Sequence, residues 1–301
     1  MTHRLIAVAG ATIVSLAALA GTAEAALEPV PVKNTPLREE LPAAGGTIFA
    51  WSQNSAGHPG VDNIWVEVGG GGAVRLNPPH TYAEAGGVDG DEVIFDQANG
   101  DGRSGIRIWN ATTQTFSIPP GVNTGAREYW PTKSGSWILY GRLGRHADRA
   151  LLHNTATGET VVLVTVTTGQ FVVFPGQVSG NWAVWDVCRR VCHVYRHDIG
   201  AGTTTRIPNT LQGRYQYRPS VTADGTVYFV HSGQACGQKV RLVRQPLGGP
   251  QEVVLSLRPG RDIFSKTQAV PDPTSGTDLY YSQARCTNPR NARDIFEVVV
   301  P

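Results

Sequence analysis

The sequence predicts an all-β protein, a six-bladed β-propeller with four antiparallel strands in each blade. Two observations lead to this fold class. First, short apolar runs recur at intervals of about 45 residues, at the equivalent positions Ile48, Val93, Trp137, Trp182, Val227 and Leu279. Second, each run is rich in β-branched or aromatic residues and follows a turn rich in Gly or Asp, which is typical of strands.

Each repeat contains further strand-like runs in a constant order. A second apolar run follows the first, as in NIWVEV, RALLHN and CHVYRH, and then comes a polar or Gly-rich turn such as GGGG or TATGE. A third run, such as AVRL, TVVL or TTRI, closes the repeat. Four strands in a unit of about 45 residues, repeated six times, match the repeat length and blade number of a β-propeller. No sustained helical periodicity follows the N-terminal segment.

The two ends of the chain are expected to complete one blade together. The sixth unit ends at DIFEVVV, so it has three strands and lacks the outermost one. The N-terminal stretch EPVPVKNTPL has no place in the first unit. We predict that residues Val30 to Val32 form the fourth strand of blade six, because this pairing removes an open sheet edge. Pro29 and Pro31 suit an edge strand, where one side needs no hydrogen-bond donors.

These repeats resemble the WD40-like (PD40-type) repeats of TolB-like six-bladed propellers. The fragments VDGDEVIFDQANGDGRSGIRIWN and TADGTVYFVHS carry the resemblance, which covers about residues 37–301. It implies a six-bladed propeller over that range. In TolB proteins an α/β domain precedes the propeller, and we expect the mature chain to lack it because only the segment 26–36 comes before the first blade.

The first 25 residues have the features of a secretory signal peptide. They include a basic start at Arg4, an apolar stretch of about 16 residues, and small residues at Ala23 and Ala25. The apolar stretch is short for a membrane span. We therefore expect a secreted bacterial protein, extracellular or periplasmic, that is monomeric and has no membrane span.

The four cysteines are expected to form two disulfides, which suits an oxidising compartment. Cys188 and Cys192 form a C-x3-C motif across a predicted hairpin. Cys236 and Cys286 fall in loops at the same end of the adjacent blades five and six, so we expect them to pair. A structural zinc site would need a second Cys/His pair near the C-x3-C motif, and the sequence has none.

One face of the propeller is predicted to bind a partner. The loops between second and third strands and those between blades lie on that face, and they collect Arg and aromatic residues. Such residues supply bidentate contacts to carboxylates and large contact areas. The predicted binding residues are Arg103, Tyr129, Trp130, Arg142, Arg145, His146, Arg189, Arg190, Tyr215, Tyr217, Arg218, Arg285 and Arg290. The alternative is that long loops simply carry solvated charge.

The partner is expected to be a protein, an acidic glycan or a small molecule. The net charge of +2 is too small to indicate nucleic-acid binding. The favoured function is therefore a binding or scaffold module, without catalysis, cofactor or metal.

An enzyme is the competing function, a lyase or hydrolase built around the axial channel. The sequence contains no G-x-S-x-G, H-E-x-x-H or phosphate-binding motif. Four histidines map to the loop face and are candidates for a shared metal site, namely His58, His80, His146 and His231. The DQANGDG stretch beginning at Asp96 resembles a calcium loop but lacks a ligand at Ala98 and a closing Glu.

Overall fold

The computed structural model describes residues 27–55, 58–98, 103–211, 213, 215–233, 239–286 and 293–301, with the backbone alone for 58–61. The described residues contain β-strands and no helix. The predicted signal peptide, Cys236 and Arg290 lie outside the described residues.

Six four-stranded antiparallel sheets form the blades, and the first strand of each blade is the innermost. Blade one has β2 (Glu39–Gly45), β3 (Ile48–Ser55), β4 (His58–Val68) and β5 (Val74–Arg75); blade two has β6 (Tyr82–Asp89), β7 (Glu92–Ala98), β8 (Ser104–Asn110) and β9 (Thr115–Ser117); blade three has β10 (Arg127–Ser134), β11 (Trp137–Leu143), β12 (Ala147–Asn154) and β13 (Thr160–Thr167). Blade four has β14 (Val172–Ser179), β15 (Trp182–Cys188), β16 (Cys192–Asp198) and β17 (Thr203–Arg206); blade five has β18 (Tyr215–Val221), β19 (Val227–Ser232), β20 (Arg241–Gln245) and β21 (Glu252–Ser256). Blade six has β22 (Arg261–Ile263), β23 (Gln268–Asp272), β24 (Gly276–Arg285), β25 (Asp294–Val300) and β1 (Val30–Lys33).

The predicted closure by the N-terminal segment is confirmed. Strand β1 pairs antiparallel with β25, with Val30 opposite Glu297. The side chain of Lys33 then reaches blade one, where its Nζ lies 2.5 Å from Glu67 and 4.3 Å from the centroid of the Trp51 ring. The N-terminal segment thus joins blade six to blade one by backbone and side-chain contacts.

Blade six departs from the expected pattern in its innermost strand. That strand is divided into β22 and β23, and both pair with β24. The intervening residues 264–267 face the interior of the ring. They include Lys266, of which 1% is exposed.

The inner strands of blades one to five each contain a β-bulge midway along their length. In blades two and four the bulge contains Gly86 and Gly176, and a Cβ at Gly176 would overlap the carbonyl oxygen of Pro219 on blade five. In blades one, three and five a residue of positive φ precedes a proline, and these residues are Leu41, Trp130 and Arg218. Glycine and proline bulges therefore alternate around the axis, which lets neighbouring inner strands approach closely.

Side chains on the second strands hold the bulges of the next blade. Asp96 on β7 accepts a hydrogen bond from the backbone N–H of Trp130 at 3.0 Å. Asp186 on β15 accepts the same kind of bond from Arg218 at 2.9 Å. These bonds fix the two bulges at which the side chains turn towards the axis.

The hairpin between β15 and β16 carries the predicted local disulfide. Cys188 and Cys192 are bonded, with their Cα atoms 4.0 Å apart. The second predicted bridge, from Cys236 to Cys286, involves a residue outside the described part of the chain and stays a prediction. None of the described segments forms a helix of the length and hydrophobicity needed to span a bilayer.

Candidate functional site

Two adjoining clefts lie around the axis on the predicted loop face. The first, cleft A, has a volume of about 340 Å³ and is lined by Tyr215, Tyr217, Arg218, Asp262, Phe264 and the Cys188–Cys192 disulfide, among others. The second, cleft B, has a volume of about 330 Å³ and is lined by Arg127, Tyr129, Trp130, Asp148, Phe171 and Val173, among others. Phe174 lines both clefts. Clefts of this size and mixed lining are typical of ligand sites.

A stack of three side chains separates the two clefts. The rings of Trp130 and Phe174 lie 5.2 Å apart between centroids, with 27° between their planes. The guanidinium carbon of Arg218 lies 4.3 Å from the Phe174 centroid and 5.0 Å from that of Trp130. These contacts hold the cation against aromatic faces. We call Trp130, Phe174 and Arg218 the central stack.

The guanidinium of Arg218 has unused hydrogen-bonding capacity. Its Nε and Nη1 atoms are buried and have no hydrogen-bond partner among the described residues. The nearest acid, Asp186, accepts the backbone N–H of Arg218 rather than its side chain. Nε carries one N–H and Nη1 carries two, so these two buried nitrogen atoms leave donor capacity that no described group uses, and the Arg218 side chain borders cleft A.

Glu84 fixes the orientation of the indole in the central stack. Its carboxylate accepts a 2.7 Å hydrogen bond from Nε1 of Trp130 and another from the hydroxyl of Tyr82. Burial raises the pKa of Glu84, and these hydrogen bonds oppose the rise. The indole is thus held by its N–H group as well as by packing.

Two tyrosines in the walls are anchored by carboxylates. The hydroxyl of Tyr129 donates to Asp148 at 2.6 Å, and Val173 offers its carbonyl oxygen 2.9 Å from the same hydroxyl. The hydroxyl of Tyr217 donates to Asp262 at 2.8 Å. Burial raises the pKa values of both tyrosines, so the hydroxyls stay protonated donors. These pairs make the aromatic walls rigid.

Asp186 is a buried acid beside the central stack. Burial raises its pKa to about 7, while Arg218 opposes the rise through its charge and its backbone N–H. The strand neighbours opposite Asp186 are Phe174 and Val194, which carry no charge. The charge on Asp186 therefore changes near neutral pH, next to the guanidinium of Arg218.

Two long polar side chains cross the interior of the ring beneath the clefts. Nζ of Lys266 donates to the carbonyl of Gly86, which links blade six to blade two across the interior. Nε2 of Gln177 donates to the carbonyl of Ala269 at 2.9 Å, which links blade four to blade six. Both side chains are buried. We call Lys266 and Gln177 the axial floor, because they fill the ring interior at the level of the bulges.

The floor contains a buried group of charges. Burial lowers the pKa of Lys266 to about 7, while the nearby Asp96 and Glu84 oppose this effect. Burial and the charge of Glu84 raise the pKa of Asp96. Oδ2 of Asp96 has no hydrogen-bond partner in the part of the chain that the structure describes.

The structure brings five of the predicted binding residues to the clefts. They are Tyr129, Trp130, Tyr215, Tyr217 and Arg218. Arg189 lies beside cleft B, with its guanidinium carbon 5.1 Å from the ring centroid of Phe171. A binding role for these residues stays a prediction.

The remaining predicted residues lie away from the central stack. Arg142 is used internally, with its Nε 3.0 Å from Glu128 and its Nη2 2.6 Å from the carbonyl oxygen of Val122. The others among the described residues are exposed and do not line cleft A or cleft B, namely Arg103, Arg145, His146, Arg190 and Arg285.

The histidines proposed for a metal site do not form a ligand group among the described side chains. Nε2 of His231 is 3.1 Å from Asn209, whereas His80 and His146 are exposed. The side chain of His58 lies outside the described residues. Asp186, Cys188 and Cys192 are the one group of three possible ligands in the described part, and its cysteines are bonded to each other.

Several residues that build the site were not among those predicted from the sequence. These are Glu84, Asp96, Phe174, Gln177, Asp186 and Lys266. Two of them had a detectable signal, because Asp96 in VIFD and Asp186 in AVWD end equivalent strand motifs. Asp96 also starts the stretch compared with a calcium loop, and the structure shows its Oδ1 occupied by the backbone of Trp130. Residues 99–102 of that stretch lie outside the described residues.

The fold is similar to those of solved TolB structures. Putative TolB from Agrobacterium tumefaciens matches with a TM-score of 0.58 and 16% identity, covering 89% of this chain and 92% of that one. TolB from Acinetobacter baumannii matches with a TM-score of 0.56 and 13% identity, covering 84% of this chain. This chain spans 64% of the length of that TolB.

A protease propeller is similar to about the same degree. The β-propeller domain of the Trilobed protease from Pyrococcus furiosus matches with a TM-score of 0.54 and 13% identity, covering 88% of this chain and 96% of that one. No protein-family model matches the chain, and no curated protein matches it in sequence. The comparisons therefore show a TolB-like six-bladed propeller fold, and a shared fold does not by itself give function.

Proposed function

We propose that this protein is an exported binding module that holds an acidic ligand or partner segment in clefts A and B. The observation that carries this proposal is the central stack, in which the side chain of Arg218 borders cleft A and has two buried nitrogen atoms without a hydrogen-bond partner among the described residues. Rigid aromatic walls and a buried Arg are the features that dominate binding energy at interfaces.

The charges at the mouth support an acidic ligand. Arg127 lines cleft B and is exposed, and Arg189 lies against Phe171 in the same wall. The carboxylates of Asp148 and Asp262 are occupied by the tyrosine hydroxyls. The guanidinium groups of Arg127 and Arg218 are therefore cationic donors that border the clefts, and Asp148 and Asp262 are held in the walls by the tyrosines.

Export is supported by the local disulfide as well as by the N-terminal sequence. Disulfides persist in oxidising compartments and are rare in the cytosol. The bond between Cys188 and Cys192 shapes the wall of cleft A, so its formation matters directly to the proposed site.

The enzyme hypothesis draws little support from the described side chains. A hydrolase or lyase needs an acid–base pair or a metal within reach of one substrate position. Asp96 lies beside Lys266 in the buried group. Glu84 lines cleft B but accepts the indole N–H of Trp130, and Tyr129 is held by Asp148. A rigid binding site explains these contacts more simply.

Blocking one cleft tests the proposal. We would measure binding of a panel of fluorescent hexapeptides and of acidic and neutral oligosaccharides by fluorescence anisotropy. The variant Thr168→Trp places an indole at an exposed residue that lines cleft B. Its matched control is Ala156→Trp, which adds the same side chain to an exposed turn on the opposite face.

We expect at least one panel member to bind the unmodified protein and the control. Binding to Thr168→Trp should fall by tenfold or more, because the indole occupies the cleft. A panel without any binder, or binders that tolerate Thr168→Trp, would contradict the proposed function.

A further inference from the structure

We propose that the ligand enters the clefts end-on and is a peptide whose C-terminal carboxylate binds the guanidinium of Arg218. This inference rests on the proposed function and adds the chemical class and the direction of entry of the ligand. It follows from three features of the described residues: a closed floor, an unpaired guanidinium and an adjacent acid.

The closed floor means that a ligand chain must stop in the clefts. Lys266 reaches from blade six to Gly86 on blade two, and Gln177 reaches from blade four to Ala269 on blade six. Only 1% of Lys266 is exposed. A peptide that entered along the axis would meet these side chains directly beneath the central stack, so its end, rather than a middle segment, occupies the deepest position.

The guanidinium of Arg218 matches the group that a peptide end carries. Its Nε and Nη1 have no hydrogen-bond partner among the described residues, and a carboxylate accepts charge-assisted hydrogen bonds from a guanidinium that are stronger than bonds between neutral groups. Because these atoms are buried, each bond that forms there replaces an unsatisfied donor. An uncharged amide offers one acceptor oxygen and no negative charge, so it binds this position more weakly.

The central stack gives room for the last side chain of the ligand. Phe174 borders both clefts, and Trp130 packs against it. An aromatic or apolar C-terminal residue can pack on the outer side of these rings while its carboxylate faces Arg218. The observations therefore favour a peptide that ends in such a residue.

Asp186 competes with the ligand for the charge of Arg218. It lies beside the guanidinium, and its Oδ1 accepts the backbone N–H of Arg218. The Asp186→Asn substitution keeps an oxygen for this N–H while it removes the negative charge. It therefore tests the electrostatic part of the proposal without removing the support of the bulge.

Three tripeptides distinguish a chain end from a side-chain acid. They are acetyl-Ala-Ala-Phe with a free carboxylate, the same peptide as an amide, and acetyl-Ala-Phe-Asp-amide, which carries its acid on a side chain. We would measure their affinities for the protein by isothermal titration calorimetry. The free acid should bind at least tenfold more tightly than either amide, because hydrogen bonds between a guanidinium and a carboxylate are stronger than those to a neutral amide.

Variants of Arg218 and Asp186 test which residue causes the preference for the free acid over the amide. Arg218→Gln should abolish the difference in affinity between acid and amide, and Arg218→Lys should retain only part of it because the ammonium keeps the charge but lacks the planar guanidinium. Asp186→Asn should bind the free acid more tightly than the unmodified protein. Thermal unfolding of each variant shows whether it is folded, and the Asp186→Asn result tests the proposal even where an Arg218 variant fails to fold.

Two results would overturn the inference. Equal affinities for the free acid and its amide, in a protein that binds panel ligands in cleft B, would remove the carboxylate from recognition and leave the proposed function intact. Equal affinities for the free acid and the Asp-amide peptide would show that the protein recognises any carboxylate, and that a C-terminal carboxylate is not required.

Discussion

At the scale of single residues, Lys266 is the most unusual group in the structure. An isolated ammonium in a protein interior is unfavourable, and here the interior holds Asp96 and Glu84 near it. Its Nζ also bonds the carbonyl of Gly86. Lys266 thus lies across the interior of the ring, and burial of its ammonium lowers the stability of the folded protein by an amount that depends on pH.

Burial of the Lys266 ammonium predicts how the stability of the protein depends on pH. Lys266 has a pKa of about 7 in the folded protein, whereas lysine in an unfolded chain titrates at about 10.4. Between these values the unfolded state binds more protons, so the contribution of Lys266 raises the free energy of unfolding as pH increases. The slope is on the order of 1 kcal/mol per pH unit.

Urea unfolding at pH 7.0 and pH 9.5 measures this effect. The Lys266→Met variant keeps a long side chain in the ring and removes the titrating group. Its stability should rise less with pH than that of the unmodified protein. Identical pH slopes for the two proteins would show that Lys266 titrates normally.

Asp186 predicts a pH dependence of ligand binding. Its pKa of about 7 means that it loses its negative charge as pH falls from 8 to 6. The residues paired with it on β14 and β16 are uncharged, the phenol of Tyr129 stays protonated in this range, and Arg218 stays cationic. Affinity for the free-acid tripeptide should therefore increase several-fold over this interval.

The Asp186→Asn variant is the control for this measurement, because it has no carboxyl group to titrate at that position. Calorimetric titrations at pH 6 and pH 8 should give a smaller ratio of affinities for the variant than for the unmodified protein, because Lys266 still titrates over this interval in both proteins. An affinity of the unmodified protein that falls as the pH is lowered would contradict the assigned role of Asp186.

At the scale of elements, the bulges determine how closely the inner strands approach one another. Gly176 lies against the backbone of the next blade, and a Cβ there would overlap the carbonyl oxygen of Pro219. Overpacking of this kind typically costs about 1–3 kcal/mol. Gly72, in the hairpin between β4 and β5, has no heavy atom within 4 Å of an added Cβ.

The pair Gly176→Ala and Gly72→Ala tests this account. The first should lower the free energy of unfolding by about 1–3 kcal/mol, and the second should leave it nearly unchanged. Chemical denaturation of both variants provides the comparison. Equal stabilities would mean that the inner strands can move apart without cost.

Closure by β1 is the second element-scale feature with a direct test. Deleting residues 26–36 removes the backbone pairing with β25 and the contacts of Lys33, so the midpoint of thermal unfolding should fall by roughly 5 °C or more. Lys33→Gln keeps the strand and removes the partly exposed ion pair to Glu67 and the contact of the ammonium with the Trp51 ring, so it should cost much less than the deletion. An unchanged midpoint after the deletion would contradict closure of the ring by this strand.

The strands themselves were predictable from the sequence, whereas the interior of the ring was not. The strands β3, β7 and β11 were predictable because both of their faces are largely buried, so each appears in the sequence as a continuous apolar run between Gly-rich turns. The spacing of apolar residues made Val93 the equivalent of Trp182. In the structure, however, Trp182 is the first residue of its strand and pairs with Ser179. The residue with the same place in blade two is Glu92, which pairs with Asp89. With this correction, Asp96 and Asp186 become equivalent, which a spacing of apolar residues does not show.

The site was predictable only in part for a related reason. Tyr129, Trp130, Tyr215, Tyr217 and Arg218 lie in or beside inner strands and were selected as loop-face residues. The bulges place the side chains of Trp130 and Arg218 in the central stack, and a bulge leaves little trace in the sequence beyond a Gly or an X-Pro pair. Lys266 and Gln177 act on blades that are not their neighbours, and only the closed ring brings those blades together.

At the scale of the whole molecule, the ring is closed at its circumference and at its axis. The strand β1 closes the circumference, and the axial floor of Lys266 and Gln177 closes the interior. The open volume of clefts A and B is left on the loop face, around the central stack. This arrangement suits a module that holds the end of a ligand.

A crystal structure of the protein bound to acetyl-Ala-Ala-Phe tests this central claim most directly. We expect the peptide in clefts A and B, with its carboxylate hydrogen-bonded to the guanidinium of Arg218 and its phenyl ring against the central stack. A peptide bound on the opposite face, on the outer strands, or through the axis with its end past Lys266 would contradict it.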